Sequence, residues 1–169
     1  MTTIESRTIT DVQDDAPSTL DERAADAVIA HHAELRRGLY ERVMALRDEV
    51  CAGARWDVPL AALTAYLATV IVPHAAAEEA TLYPPLAADP RGALFVDAML
   101  LDHERLTEQT RALANACERQ AALALAEAAA ALFALHATKE NELLLPALQG
   151  LDRVSLAALV TAMHDRLGE

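Results

Sequence analysis

Two segments of this chain repeat each other. One reads His74-Ala-Ala-Ala-Glu78-Glu-Ala-Thr-Leu-Tyr-Pro84, the other His136-Ala-Thr-Lys-Glu140-Asn-Glu-Leu-Leu-Leu-Pro146. Each sets a histidine four residues before a glutamate. On a helix that spacing puts both side chains on one face, one turn apart. An imidazole nitrogen and a carboxylate oxygen so placed can grip one metal ion. A second pair of segments matches as well: His32-Ala-Glu-Leu35 and His103-Glu-Arg-Leu106. The expected ligand set is therefore His32, His74, Glu78, His103, His136 and Glu140. A carboxylate buried without a partner costs on the order of several kcal/mol. The apolar stripes that carry Glu78 and Glu140 offer no Lys or Arg, so metal ions are the expected counter-charge.

Four imidazoles with two carboxylates are too rich in nitrogen for magnesium or calcium. They lack the thiolates of a structural zinc site. The set suits non-haem iron, with manganese or zinc as the alternatives. Six ligands from four helices exceed what one ion takes and suit a pair. Each glutamate can then bridge, with one oxygen on each ion. Each ion holds two histidine nitrogens and two glutamate oxygens, and a water-derived oxo or hydroxo bridge leaves one position open on each.

Other polar residues are weighed against this set. His31 adjoins His32, but its neighbours one turn away include Glu34 and Gly38, a mixed face, whereas His32 lies on the apolar stripe. His164 has no carboxylate four residues later and reads as a surface or packing residue. Cys117 lies about 21 Å beyond His103 along a straight helix. It and Cys51 read as small buried hydrophobes rather than ligands. Glu79, Tyr66 and Tyr83 fall near the His74 segment and are candidates to reach the ions.

The elements that must position these groups are helices. Residues 1–18 read as a flexible N-terminal tail, and residues 19–169 as one domain. Thr19 and Glu22 have capping-box spacing. A first helix runs from there to about Val50 on the stripe Val28, His32, Leu35, Leu39, Val43, Leu46 and Val50, and Gly53 fits its end. Asp57 and Pro59 open a second helix carrying Leu60, Leu63, Leu67, Ile71, His74, Glu78 and Leu82. Pro73 in its interior should bend it, and Pro84 and Pro85 should end it. The third helix carries Phe95, Val96, Met99, His103, Leu106, Thr110, Leu113 and Cys117. The fourth carries Leu125, Ala129, Leu132, His136, Glu140, Leu143 and Ala147. A short final helix runs from about Arg153 to Leu167, after Asp152. Four long helices with short connections imply an all-α, antiparallel up-down four-helix bundle.

Composition agrees. Apolar residues make up 53% of the 169 and aromatics only 4%, the balance of a compact helical protein. A net charge of −12 argues against nucleic acid and anionic membrane as partners. No signal-like N-terminus and no ~20-residue uninterrupted apolar run is present. Two cysteines without a CxxC pattern fit a cytoplasmic protein with reduced thiols.

With these residues in place, the chain resembles the hemerythrin-like family, the HHE cation-binding domain, over about residues 26–150. The resemblance implies a four-helix bundle holding an oxygen-bridged di-iron centre. It implies that His32 and His74 serve one iron and His103 and His136 the other, with Glu78 and Glu140 bridging. Family members carry or sense oxygen, sense iron, react with peroxide or nitric oxide, or serve in iron-sulfur repair. O2, peroxide or NO are thus the implied partners, and a small-molecule substrate is left open. One departure matters. Oxygen-carrying members have a further histidine one turn after the third-helix histidine, where this chain has Thr107. A fifth imidazole saturates one iron, so its absence favours redox turnover over reversible carriage. The expected function is therefore an oxidase, oxygenase or peroxide-consuming activity, with non-catalytic binding or sensing of O2, NO or iron as the alternative.

Overall fold

The computed structural model describes residues 19–152 and 154–168, and the expected tail over residues 1–18 lies outside them. Helix α1 spans Leu20–Cys51 and α2 spans Asp57–Tyr66. A π-turn at Leu67–Ile71 joins α2 to α3, Val72–Thr81. Helix α4 covers Tyr83–Ala87, α5 Ala93–Ala114 and α6 Arg119–Lys139. A second π-turn, Glu140–Leu144, joins α6 to α7, Leu145–Gln149, and α8 spans Leu156–Leu167. Among the described residues there is no strand, so the fold is all-α as expected.

Local chemistry explains the boundaries. The Thr19 hydroxyl accepts from the Glu22 N–H, and the Glu22 carboxylate accepts from the Thr19 N–H. This satisfies donors that a helix start otherwise leaves open, typically worth about 1 kcal/mol. At the other end Gly53 adopts φ +67°, a left-handed conformation that costs glycine nothing. The final helix starts later than expected. Its cap is Ser155, whose hydroxyl accepts from the Ala158 N–H, rather than Asp152.

Both internal prolines are accommodated by a wide turn rather than by a break. The Val72 N–H bonds to the Leu67 carbonyl just before Pro73, and the Leu145 N–H to the Glu140 carbonyl just before Pro146. A proline ring clashes with the carbonyl four residues back in a regular α-helix. The extra residue of a π-turn moves that carbonyl aside. Pro84 and Pro85 do not end the helical path either; they occupy the first turn of α4, where a missing N–H is harmless.

Helix α1 packs on α2 and α6, α5 packs on α6, and α8 lies against α1 and α3. The apolar core is in two parts. One gathers Val28, Leu82, Met99, Leu144 and Leu148 with Leu156, Val160 and Met163 of α8. The other gathers Leu35, Leu39, Ile71, Leu106, Leu113 and Phe133. Along α1 the order is Val28, His32, Leu35; along α5 it is Met99, His103, Leu106. The histidines therefore form a polar layer between two hydrophobic slabs. Burying each leucine of those slabs contributes roughly 1.5–3 kcal/mol, which holds the polar layer in place.

Other expectations are corrected as well. On the fourth helical stretch the buried residues after Glu140 are Leu144, Leu145 and Leu148, while Leu143 is 53% exposed. The π-turn inserts a residue and shifts the face by one position. Leu125, Leu132 and Ala147 are partly rather than fully buried. Cys51 and Cys117 are exposed free thiols: Cys51 is the last residue of α1, and Cys117 follows the end of α5 at Ala114. Two helical stretches, Asp57–Thr81 and Arg119–Gln149, are long and apolar enough by length and composition to cross a membrane. Each nevertheless turns a buried His/Glu pair into the polar layer.

Candidate metal centre

All six residues of the expected set meet in the polar layer. His32, His74, Glu78, His103, His136 and Glu140 are each at most 4% exposed. α1 supplies His32, α3 supplies His74 and Glu78, α5 supplies His103, and α6 with its π-turn supplies His136 and Glu140. Glu78 sits at the middle. Its Oε1 lies 2.9 Å from His74 Nε2 and 3.2 Å from His32 Nε2, while its Oε2 lies 3.6 Å from His103 Nε2 and 4.0 Å from His136 Nε2. One carboxylate thus faces two histidines with each oxygen. Glu140 Oε2 spans the same gap, 3.3 Å from His136 Nε2 and 3.4 Å from His32 Nε2.

The donors sort into two overlapping groups whose ligand atoms cluster within 4.8 Å: Glu78, His103, His136 and Glu140, and separately His32, His74 and Glu78. Several of these atoms are buried without a hydrogen bond: Glu78 Oε2, Glu140 Oε2, His74 Nε2 and His74 Nδ1. His74 Nε2 and Glu78 Oε1 are close but lack hydrogen-bond angles. Bonds of about 2.0–2.2 Å meeting at a right angle place two ligand atoms about 3 Å apart. Orphaned buried donors at that separation are what a bound cation resolves, so the residues fit a pair of metal ions.

Protons on the histidines offset the carboxylates in the metal-free arrangement. Burial raises the energy of the Glu78 carboxylate, yet the charge of His74 and the imidazoles of His103, His136 and His32 close around it outweigh that and hold its pKa well below 4.5. Burial likewise opposes charging of His136. The carboxylates of Glu140 and Glu78 beside it overcome that and push its pKa up to about 10. His32 is raised for the same reasons, with Asn141 adding to them.

A ring of supporting contacts surrounds the ligands. Tyr83 is buried; its hydroxyl donates to Glu140 Oε1 at 2.7 Å and lies 3.2 Å from His103 Nε2. Burial and the charges of Glu140 and Glu78 raise its pKa far above 10, so it stays a neutral donor. Glu79 Oε1 lies 2.8 Å from His103 Nδ1, Asp102 Oδ2 3.2 Å from His136 Nδ1, and Asn141 Oδ1 2.7 Å from His32 Nδ1. Lys139 bonds the same Asp102 oxygen. Of the three nearby candidates, Tyr83 and Glu79 reach the cluster. Tyr66 does not: its hydroxyl donates to the Leu35 carbonyl and its ring lies under Arg42. His31 is partly buried, with its ring centroid 5.0 Å from that of His74, and does not join the ligand groups. Thr107 lines an open cavity of about 670 Å³ together with Glu79, His103, Glu104 and Arg111. Asp102, Lys139 and Asn141 escaped the sequence reading. Asp102 and Asn141 each follow or precede a ligand by one residue, which was the only signal they offered.

The family model described as the hemerythrin HHE cation binding domain matches residues 23–148. No curated protein and no solved structure matches the chain.

Proposed function

The chain belongs to the hemerythrin HHE cation-binding family, and from that premise we propose that it is a non-haem di-iron protein reacting with O2 or a reduced oxygen species such as hydrogen peroxide. In this reading the four long helical stretches run as an antiparallel up-and-down bundle, and the protein works in a reducing, cytoplasmic setting. Manganese and zinc are the competing metals for the same donors.

Position 107 carries the preference for turnover over carriage. It lies one turn beyond His103, on the wall of a cavity that His103 also lines. A threonine there leaves each ion position with two imidazoles and shared carboxylates. Bound iron supplies one-electron exchange with oxygen species. The chain supplies the rest. Glu78 and Glu140 would hold the ions and offset their charge. The two apolar slabs keep bulk water from the ligands. Tyr83 holds a proton 2.7 Å from Glu140 Oε1, beside the place where charge changes.

The test is hydrogen peroxide consumption by the pure iron-loaded protein, with stopped-flow absorption of the reduced protein mixed with O2. Turnover by the wild type, slowed severalfold in Thr107→His, is the expected result. A wild-type oxygen complex released intact under vacuum, with no peroxide turnover, overturns the reading in favour of binding or sensing.

A further inference from the structure

The outer nitrogens of the four histidines are backed differently, and the difference falls between the two ion positions. His103 Nδ1 and His136 Nδ1 each face a carboxylate, Glu79 and Asp102. His32 Nδ1 faces the neutral amide oxygen of Asn141. His74 Nδ1 is buried and has no hydrogen-bond partner. The clustering of ligand atoms divides the same way: four donors gather around the His103/His136 position and three around the His32/His74 position.

We propose that Glu79 and Asp102 are positioning residues that make the two ion positions unequal, so that the ion between His103 and His136 binds first and more tightly. The inference rests on the dinuclear reading above. An Nδ1–H donated to a carboxylate fixes the tautomer, aims the Nε2 lone pair inward and raises its basicity. An amide oxygen fixes the tautomer but lends no charge. An unbacked ring, as at His74, has neither advantage. Lys139 bonds Asp102 and takes part of its charge, but it also holds that carboxylate in place against His136. Glu79 is exposed at the rim of the Thr107 cavity, so solvent screens it more than Asp102. Asp102 is therefore expected to matter more per substitution.

Metal-stripped protein is titrated with cobalt(II), followed by calorimetry and visible absorption. Two binding steps are expected in the wild type. Repulsion between two ions alone also separates the steps, so substitutions assign them. Asp102→Asn keeps an acceptor oxygen and removes the charge; it should weaken the first step about 10–100-fold and leave the second within a few-fold. Glu79→Gln should act in the same direction and less strongly. Asn141→Ala should weaken only the second step. His74→Ala should keep one tightly bound ion, and His103→Ala should keep only a weak one. A tight ion that survives His103→Ala, or a first step indifferent to both Asp102→Asn and Glu79→Gln, overturns the inference while leaving the dinuclear reading intact. Fewer than two ions in the wild type overturns both.

Discussion

The Tyr83 hydroxyl donates to one oxygen of Glu140 at 2.7 Å, while the other oxygen of that carboxylate is buried without a hydrogen bond and faces His32 and His136. The two oxygens have separate tasks. Oε1 is anchored by a neutral phenol, and Oε2 is left for a cation.

Tyr83→Phe removes the anchor at nearly constant volume. A buried hydrogen bond to a charged group is worth about 1.5–3 kcal/mol, and denaturant unfolding of the metal-free protein should show a loss of that order. Tyr83 is a donor in this arrangement rather than a ligand. The ferric protein should therefore lack a visible phenolate-to-iron band that Tyr83→Phe abolishes. Finding such a band would make Tyr83 a ligand.

His31 and His32 should behave oppositely. His32 Nε2 lies 3.2 Å from Glu78 Oε1 inside the sealed layer, whereas His31 is partly buried, with its ring beside that of His74 and outside the ligand groups. His32→Ala should lose metal, and His31→Ala should keep both ions. Metal analysis of the two purified variants decides it; loss from His31→Ala alone would reverse the assignment.

Without metal, stability should depend on pH in a particular direction. His136 is raised from its unfolded value of 6.5 to about 10. Its contribution is therefore complete below about pH 6.5 and disappears as pH rises toward 10. His32 acts in the same sense. Glu78 is depressed below 4.5, so its contribution is present above that pH and is lost on acidification. The metal-free protein should melt highest between about pH 4.5 and 6.5 and lose stability toward pH 10. Metal binding displaces these protons, so the loaded protein should not follow that alkaline decline. Melting curves of chelator-treated and loaded protein across this range test it. A metal-free melting temperature that is flat or rising from pH 6.5 to 10 contradicts the proton-bridged cluster.

Much of this was legible in the chain itself. The α1 stripe from Val28 to Val50 is buried residue for residue, because an uninterrupted helix keeps one phase over its whole length. His32 and His103 sit on such stripes, and the i, i+4 pairs His74/Glu78 and His136/Glu140 are buried as well although a π-turn adjoins each. Legibility failed where the helix changes pitch. Leu143 was expected inside and Leu144 is found there, since periodicity counted at 3.6 residues per turn has no place for the extra residue before Pro146. It failed again beside the ligands. Asp102 and Asn141 lie one position from His103 and Glu140, about 100° around the helix, and so look like ordinary flanking polar residues. Each in fact supports a histidine from a neighbouring helix.

Metal content with an optical spectrum tests the central claim most directly. Protein produced with adequate iron should hold about two irons per chain, matching the two donor groups, and show the iron-dependent near-ultraviolet absorption that the hemerythrin resemblance implies. One zinc per chain, with no iron-dependent colour, would contradict the account.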